Sequence, residues 1–364
     1  MAKARAAVQV ADRTIELQEF EVPDEPQPGG ALLRVEASGM CGSDVEQYVG
    51  AVAGTGLFEY PVIPGHEPIG RIARISPEAR QAWGVDEGDR VAVEPFAPCG
   101  VCDRCTEGRY QFCRNRFMYA YTSTSAGSGL WGGYADWMEL RPNTVVHRLP
   151  DDLSTQDAVL FNPLGAGFEW AYLEAGTRPG DTVLVLGAGQ RGLAAVIAAR
   201  EAGAASIIVT GLTKDEPKLR LAREFGATHT INVEREDTVA RVSELTGGRL
   251  ADRVVDVSAF ATQPVLDALE CVRPGGTVVL AGAKGMKQVP IVSDKLVMKG
   301  ITLKGALGVR RWSYDQAIRI IGEHRYPLEK MHTHTFHLDQ VEQAIHTLAG
   351  DVPGQEGIHV TVIP

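Results

Sequence analysis

Four of the six cysteines lie within one fifteen-residue stretch, as Cys99, Cys102, Cys105 and Cys113. The spacing C-x2-C-x2-C-x7-C lets a single loop wrap four thiolates around a tetrahedral ion. Such a set suits zinc or iron, and four protein ligands leave no position open for a substrate. We therefore predict a structural zinc in this loop, with an iron-sulfur cluster or unligated thiols as the alternatives.

A glycine-rich turn follows the apolar segment Thr182–Leu186 and runs into a helical pattern. Glycines in a G-x-G-x-x-G turn allow a tight bend, close approach of a pyrophosphate, and close packing of helix on strand. The N-terminus of the helix also offers free N–H groups and partial positive charge to phosphates. We predict dinucleotide binding at this turn, against a plain strand-turn-helix packing motif, by Gly187, Gly189, Gln190, Arg191 and Gly192.

The segment after the next apolar strand bears on the choice of coenzyme. An acidic residue at the end of that strand would hold the ribose 2'-hydroxyl of NAD. In this chain the strand Ser206–Thr210 is followed by glycine and leucine, and then by Thr213, Lys214 and Asp215. The missing acid slightly favours the 2'-phosphate of NADP, bound by Thr213 and Lys214. Asp215 could instead fold back onto the ribose, so both NAD and NADP stay open.

The elements that must position these groups change character along the chain. Residues 6–146 consist of short alternating apolar segments broken by Gly and Pro, which is typical of a compact β-rich region. From about residue 156, strands, glycine turns and helices alternate, which predicts a parallel sheet covered on both faces. We expect an α/β protein with one domain formed by residues 1–156 and 300–364 and a doubly wound domain formed by residues 157–299.

Composition narrows the class of partner. At 364 residues and 39.2 kDa the chain favours two domains over one. A net charge of -10 disfavours nucleic acid and anionic membranes, so a small-molecule substrate is expected. Apolar runs fall far short of the roughly 18 residues that span a bilayer, and the N-terminus lacks the apolar core of a secretory signal. We expect a cytoplasmic protein without a membrane partner.

Several motifs in one order resemble the zinc-containing medium-chain dehydrogenase/reductase family, which includes alcohol, sorbitol and threonine dehydrogenases. Beside the cysteine loop and the glycine turn, they are Cys41–Val45, Gly65–Gly70, Val85–Val91, Asn162–Leu164 and Met331–Leu348. The resemblance spans nearly the whole chain. It implies a GroES-like catalytic domain, a Rossmann cofactor domain, two zinc ions per chain, and assembly as a homodimer or homotetramer.

The resemblance also implies a catalytic zinc held by Cys41 and His66, with Glu67 beside it as an exchangeable ligand or as a group just outside the ligands. Zinc acts as a Lewis acid and lowers the pKa of an alcohol, so that hydride can leave toward a nicotinamide. Ser43 matches the hydroxyl that takes the alcohol proton in relatives. Taken singly, these residues could be a core cysteine, a turn histidine, a surface acid and a helix-capping hydroxyl.

Two positions depart from the family pattern. Relatives place Glu or Cys where this chain has Asn162, and an amide oxygen is a weaker, neutral ligand. Our hypothesis is that Glu67 binds the metal, directly or intermittently, while Asn162 stays near the water or substrate. Glu46 stands where many relatives carry a histidine that passes protons to solvent. It could act as a terminal base, although a solvated surface acid is the simpler interpretation.

These observations predict a zinc-dependent oxidoreductase that transfers hydride between NAD(P) and a secondary alcohol or polyol. The alternatives are a zinc-independent reductase of activated double bonds on the same fold and a non-enzymatic nucleotide-binding protein. Such a reductase has no use for Cys41 and His66. Residues of the substrate pocket are expected at Tyr48 and within residues 117–131 and 307–312.

Overall fold

The computed structural model describes residues 2–51 and 58–364. The chain divides into two compact units. The first unit contains Met1–Asn162, Ile321–Glu323 and Met331–Pro364, and the second contains Pro163–Ile320 and His324–Lys330. Within the described residues, every helix is too short or too polar to cross a lipid bilayer.

The strands are numbered in chain order. They are β1 Lys3–Ala11, β2 Thr14–Glu21, β3 Ala31–Met40, β4 Glu67–Ile75, β5 Arg90–Val93, β6 Phe96–Ala97, β7 Phe117–Met118, β8 Trp137–Leu140, β9 Val146–Arg148, β10 Thr182–Leu186, β11 Ser206–Gly211, β12 His229–Asn232, β13 Ala251–Asp256, β14 Val272–Leu280, β15 Thr302–Gly305, β16 His332–His337 and β17 His359–Ile363.

Helices connect these strands. They are α1 Gly42–Tyr48, α2 Pro77–Trp83, α3 Asp103–Thr106, α4 Thr155–Ala158, α5 Phe161–Gly167, which continues as a π-helix over Phe168–Glu174, α6 Gln190–Glu201, α7 Glu216–Phe225, α8 Thr238–Leu245, α9 Gln263–Cys271, α10 Ser293–Lys299, α11 Arg311–Gly322 and α12 Val341–Ala349.

The first unit is built on a largely antiparallel sheet with the order β16-β17-β3-β4-β5-β9, to which β8 adds by pairing with β3. Strand β3 is buried along most of its length and packs apolar side chains into two core clusters. Gly39 pairs with Glu67 in the antiparallel register of β3 and β4. The end of β3 therefore lies beside the start of β4. Cys41 follows β3 and His66 precedes β4, so the two residues meet at the same end of these neighbouring strands.

The second unit is a six-stranded parallel sheet with the order β12-β11-β10-β13-β14-β15. The central strand β10 is almost wholly buried, as expected when helices cover both faces of a parallel sheet. Helices α6 and α9 both contact β10. The predicted fold class, a GroES-like β-rich domain with a Rossmann-type parallel sheet, is confirmed.

The parallel sheet extends beyond residue 300, where the sequence pattern predicts the end of the cofactor domain. Strand β15 pairs with β14 through Thr302 and Thr277, and the second unit continues to Ile320. With the sequence TLKG and mostly exposed side chains, β15 lacks the apolar run that marks the other parallel strands. The boundary of 300 therefore differs from the division that the structure shows, because an edge strand carries a weaker sequence signal.

Candidate functional site

The four cysteines of the loop converge as the spacing predicted. Measured from Cys102, the sulfur of Cys105 lies at 3.6 Å and that of Cys113 at 3.8 Å, while Cys99 and Cys105 are 4.0 Å apart. A tetrahedral zinc with bonds of about 2.3 Å requires sulfur-sulfur distances of about 3.8 Å. All four are free thiols rather than disulfides. The donor set therefore fits a zinc ion with no open coordination position.

Backbone and core contacts hold this loop in place. Backbone N–H groups of Arg114 and Cys105 lower the pKa of Cys102 to about 6, which favours the thiolate that binds a metal. Farther along the loop, Tyr110 donates a hydrogen bond to Glu94, which is fully buried and also contacts His147 at 2.9 Å. A buried carboxylate thus connects the loop to strand β9.

Cys41, Ser43 and His66 form the second cluster. The Cys41 Sγ lies 3.2 Å from the His66 Nε2, and the Ser43 Oγ lies 2.6 Å from that sulfur and 3.4 Å from that nitrogen. Sulfur and nitrogen ligands of a tetrahedral zinc are about 3.5 Å apart. Both Cys41 and His66 are buried. The thiol and the imidazole can thus hold one metal ion, with the serine hydroxyl at its side.

Asp44 belongs to this cluster, although the sequence motifs assigned it no role. Its Oδ2 accepts the backbone N–H of Cys41 at 2.8 Å, which completes a capping box at the start of α1. Its Oδ1 lies 3.5 Å from the His66 Nδ1, the ring nitrogen that faces away from Cys41. A carboxylate at this place fixes the orientation and tautomer of a metal-binding histidine. The C-x-x-D spacing, interpreted as a capping box, could have revealed it.

The cluster has the electrostatic character of a cation site. Burial alone would lower the pKa of His66, but the negative charges of Cys41 and Asp44 outweigh it and raise that pKa well above its usual value. Cys41, Asp44 and His66 bring their ligand atoms within 4.8 Å of one another. The cluster therefore favours a positive charge, which either a proton or a metal ion can supply.

Asp44 faces the Nδ1 of His66, whereas Glu67 lies near the Nε2 of the same ring. Its Oε1 is 3.8 Å from the His66 Nε2, and its side chain is fully buried. Room for this carboxylate comes from Gly39, where a Cβ atom would lie 2.5 Å from the Glu67 Oε2 and 3.1 Å from the His359 Nε2. A buried carboxylate is thus within a small movement of the position that a third ligand would take.

Two further predicted site residues, Asn162 and Glu46, lie on helices and belong to the first unit. Asn162 is buried in α5. Glu46 is half-buried on α1, and burial raises the pKa of its carboxyl. Within the described residues no hydrogen bond joins that carboxyl to Cys41, Ser43 or His66.

Two aromatic residues of the expected pocket have defined contacts. Tyr48 is buried, its hydroxyl donates to the Arg13 carbonyl oxygen and to Glu342, and its ring packs edge-on against His346. The tyrosine thus locks α1 against α12. Within residues 117–131, Tyr121 lies beside the cluster of Cys41, Ser43 and His66, with its ring centre 6.2 Å from that of His66.

The glycine turn of the second unit has the geometry that its sequence predicted. Gly187 adopts a φ of 111°, which favours glycine. A Cβ atom on Gly192 would lie 1.9 Å from the Gly187 carbonyl oxygen, so only glycine permits this close packing. Among the residues that the structure describes, a Cβ at Gly189 would meet nothing within 4 Å, and this N-cap residue has no side chain to hydrogen-bond the start of α6. The turn therefore presents open backbone where a pyrophosphate could approach.

The segment after β11 shows how Asp215 is engaged. Its carboxylate accepts the backbone N–H of Leu212 and forms an ion pair with Lys218 at 2.9 Å. The Thr213 N–H is donated to Glu234. Gly211, at the end of β11, occupies the position where an acid would bind the NAD ribose. Asp215 is therefore tied into its own turn.

Comparisons with known proteins agree with this arrangement. Residues 27–151 match the alcohol dehydrogenase GroES-like domain family, and residues 192–323 match the zinc-binding dehydrogenase family. The chain is 43% identical to the "Probable alcohol dehydrogenase adh" of Mycobacterium tuberculosis, covering 100% of this chain and 99% of the relative. It is 32% identical to the erythritol/L-threitol dehydrogenase of Mycolicibacterium smegmatis, covering 100% and 98%.

A similar solved structure is that of a candidate zinc-binding dehydrogenase from Sinorhizobium meliloti bound to NADP. It superimposes with a TM-score of 0.87 at 25% identity and covers 100% of both chains. The matches to family, sequence and structure span both units. The chain belongs to the zinc-containing medium-chain dehydrogenase/reductase family and is an oxidoreductase of alcohols or polyols that depends on NAD(P).

Proposed function

We propose that the chain holds two zinc ions, a structural one in the four-cysteine loop and a catalytic one bound by Cys41, His66 and Glu67. The observation that carries the catalytic site is the buried contact of 3.2 Å between the Cys41 Sγ and the His66 Nε2 in a pocket that favours a cation. Bound zinc supplies a Lewis acid that lowers the pKa of an alcohol hydroxyl.

The chain's own residues would position the alcohol and move its proton. Ser43 lies beside both ligand atoms, so its hydroxyl could accept a hydrogen bond from the alcohol and pass the proton on by releasing its own proton toward solvent. Asp44 holds the His66 ring in one orientation. Tyr121 covers one side of His66 and limits the entry of water.

The third ligand follows from the charges at the site. Asn162 contributes no negative charge, whereas Glu67 is a buried carboxylate 3.8 Å from the His66 Nε2. We assign Glu67 to the metal, directly or intermittently, and Asn162 to the water or substrate. In a Glu67→Gln variant, mild chelation should remove one of the two zinc ions faster than in wild type. Equal retention of both ions would contradict this assignment.

The coenzyme proposed is NADP rather than NAD. Support comes from Gly211 at the acid position, from the turn-bound Asp215 and from the proximity of Thr213 and Lys214. The NADP bound by the Sinorhizobium relative points the same way. A Lys214→Ala variant should raise the KM for NADP several-fold and leave the KM for NAD nearly unchanged. A larger effect on NAD would reverse the preference.

The proposed substrates are secondary alcohols and polyols, in keeping with the relative that acts on erythritol and L-threitol. Nicotinamide absorbance against a panel of alcohols, polyols and aldehydes, with both coenzymes, tests reaction class and coenzyme together. Oxidation of polyols that disappears after zinc removal is expected. Reduction of activated double bonds by metal-free protein would instead identify a zinc-independent reductase.

We also propose a homo-oligomer formed through the parallel sheet of the second unit. Within the described residues β15 pairs with β14 alone and forms an edge of the sheet, and in α10, the helix that precedes it, Val297 and Met298 are 80% and 85% exposed. A strand edge together with exposed apolar side chains suits pairing with the same edge of a second copy. Light scattering should give at least a dimer, and Met298→Lys should shift it toward monomer. A monomeric wild type would contradict the proposal.

A further inference from the structure

The carboxyl ends of strands β13 and β14 are joined by a buried ion pair. The Lys284 Nζ lies 2.8 Å from the Asp256 Oδ2, and the two side chains are 11% and 0% exposed. The same ammonium group donates to the Ser258 carbonyl oxygen and, at 3.1 Å, to the Ser258 hydroxyl oxygen. Ser258 in turn donates its backbone N–H and its hydroxyl to the Asp256 Oδ1. These three residues form a closed cluster, which we call the Lys284 cluster.

The Lys284 cluster engages the ammonium group within the fold. The ammonium group donates hydrogen bonds to two acceptors of Ser258, and the Asp256 carboxylate lies 2.8 Å away as its counter-ion. The charge of Lys284 is therefore balanced inside the cluster. Burying a lysine and an aspartate together has a large desolvation cost, so the ion pair by itself gives little net stability. We infer that its main effect is to hold a loop in place.

The Lys284 cluster holds the loop of residues 257–261, which follows β13. On one side, a Cβ on Gly187 would lie 3.3 Å from the Ser258 nitrogen, so the loop packs against the glycine turn. On the other side, a Cβ on Gly282 would lie 2.1 Å from the Ser258 oxygen, and Phe260 donates its N–H to Ala283. The loop is thus held between the glycine turn and the segment after β14.

The position of this loop in the sheet gives it a role. From β10 the chain proceeds through β11 to β12 on one side, and then returns to place β13 on the other side of β10. In open parallel sheets, ligands bind outside the carboxyl ends of the strands at this reversal of strand order. The glycine turn follows β10 and residues 257–261 follow β13, so the two segments adjoin at this reversal.

We propose that Lys284 is a positioning residue for the dinucleotide: through Asp256 and Ser258 it fixes the loop of residues 257–261, which adjoins the glycine turn at the expected coenzyme site. The inference rests on the proposed use of NAD(P) by this unit. It adds a residue that lies outside the glycine-rich motif and acts without touching the coenzyme. Loss of the tie allows residues 257–261 to shift, and misplacement of this kind weakens binding and alignment.

The test is a Lys284→Met variant, which keeps the apolar stem and removes the ammonium group. Fluorescence titration with NADPH and NADH should show a dissociation constant about tenfold higher than in wild type. Zinc content should stay at the wild-type value, because all the proposed ligands lie in the first unit. The matched control is Lys295→Met, which breaks the exposed ion pair with Glu270 in the same unit and should leave both quantities unchanged.

A second variant separates positioning from general stability. Lys284→Met leaves the Asp256 carboxylate buried without its partner and should lower the thermal midpoint. The double variant Asp256→Asn with Lys284→Met removes that buried charge, so it should recover thermal stability and still bind the coenzyme weakly. Recovery of both stability and affinity would overturn the inference, as would an unchanged dissociation constant in folded Lys284→Met. A wild-type protein that binds neither coenzyme would overturn the proposed function itself, and the inference with it.

Discussion

Replacing Asp44 by asparagine tests how the candidate metal site is oriented. The carboxylate has two separable interactions, one with the Cys41 N–H at 2.8 Å and one with the His66 Nδ1 at 3.5 Å. An asparagine oxygen can still accept the N–H of Cys41, so the cap at the start of α1 is kept. The negative charge facing the imidazole is lost. Asp44→Asn therefore removes the support of the histidine with little change to the helix.

The expected loss of zinc affinity can be estimated separately from the loss of the helix cap. Removing an outer carboxylate from a metal-bound histidine weakens metal affinity by about 10- to 100-fold, which corresponds to about 1.4 to 2.7 kcal/mol. Asp44→Ala should show the same loss of affinity and a further loss of about 1 kcal/mol in unfolding free energy, because the cap is also gone. Comparing the two variants distinguishes the histidine contact from the cap.

The assay is competition with a chromophoric chelator, followed by measurement of zinc per chain. In Asp44→Asn one zinc should be released readily, while the zinc of the four-cysteine loop leaves at the wild-type rate. Glu46→Gln, a change of the same kind on the same helix, is the control and should release zinc as wild type does. If Asp44→Asn gave up both ions at the wild-type rate, the role assigned to Asp44 would be refuted.

Two other predictions follow from packing and charge. Gly192→Ala should lower the unfolding free energy by about 2 kcal/mol through overpacking, because the added Cβ would lie 1.9 Å from the Gly187 oxygen. Thermal unfolding measures this loss. A gain of about 1 kcal/mol, which is usual for Gly→Ala within a helix, would contradict the close packing. Burial would raise the pKa of Glu201, but hydrogen bonds from Arg325 and Tyr326 outweigh it and lower that pKa. Glu201 therefore stabilises the fold above its unfolded pKa of about 4.3. Glu201→Gln should cost about 1 kcal/mol at neutral pH, and denaturant titrations should show the difference vanish as the pH falls through the folded pKa; a constant difference would refute the linkage.

Local signals in the sequence were sufficient for the central strand of the parallel sheet but not for its edge strand β15. Residues 182–186 are both the predicted and the observed bounds of β10, because an apolar run ending in a glycine turn has few other interpretations. The segment TLKG of β15 carries no such signal, since an edge strand exposes most of its side chains. Its place in the sheet depends on pairing with β14, a contact distant in sequence.

The candidate site was predictable only in part for the same reason. The motifs identified Cys41 and His66 by resemblance, but their meeting depends on the register of β3 with β4. The contacts of Tyr48 with α12 are made by residues almost 300 positions away in the sequence, so no local pattern could predict them. The ties of Lys284 to Asp256 and Ser258 likewise connect loops that only the sheet brings together.

A zinc ion shared by Cys41 and His66 is the feature on which the proposed chemistry depends. X-ray diffraction from crystals of the purified protein, collected on both sides of the zinc absorption edge, locates zinc directly. We predict two anomalous peaks per chain, one among the four loop cysteines and one within bonding distance of the Cys41 sulfur and the His66 Nε2. A single peak in the cysteine loop, with Cys41 and His66 in ordered density and no metal between them, would contradict the proposed catalytic site.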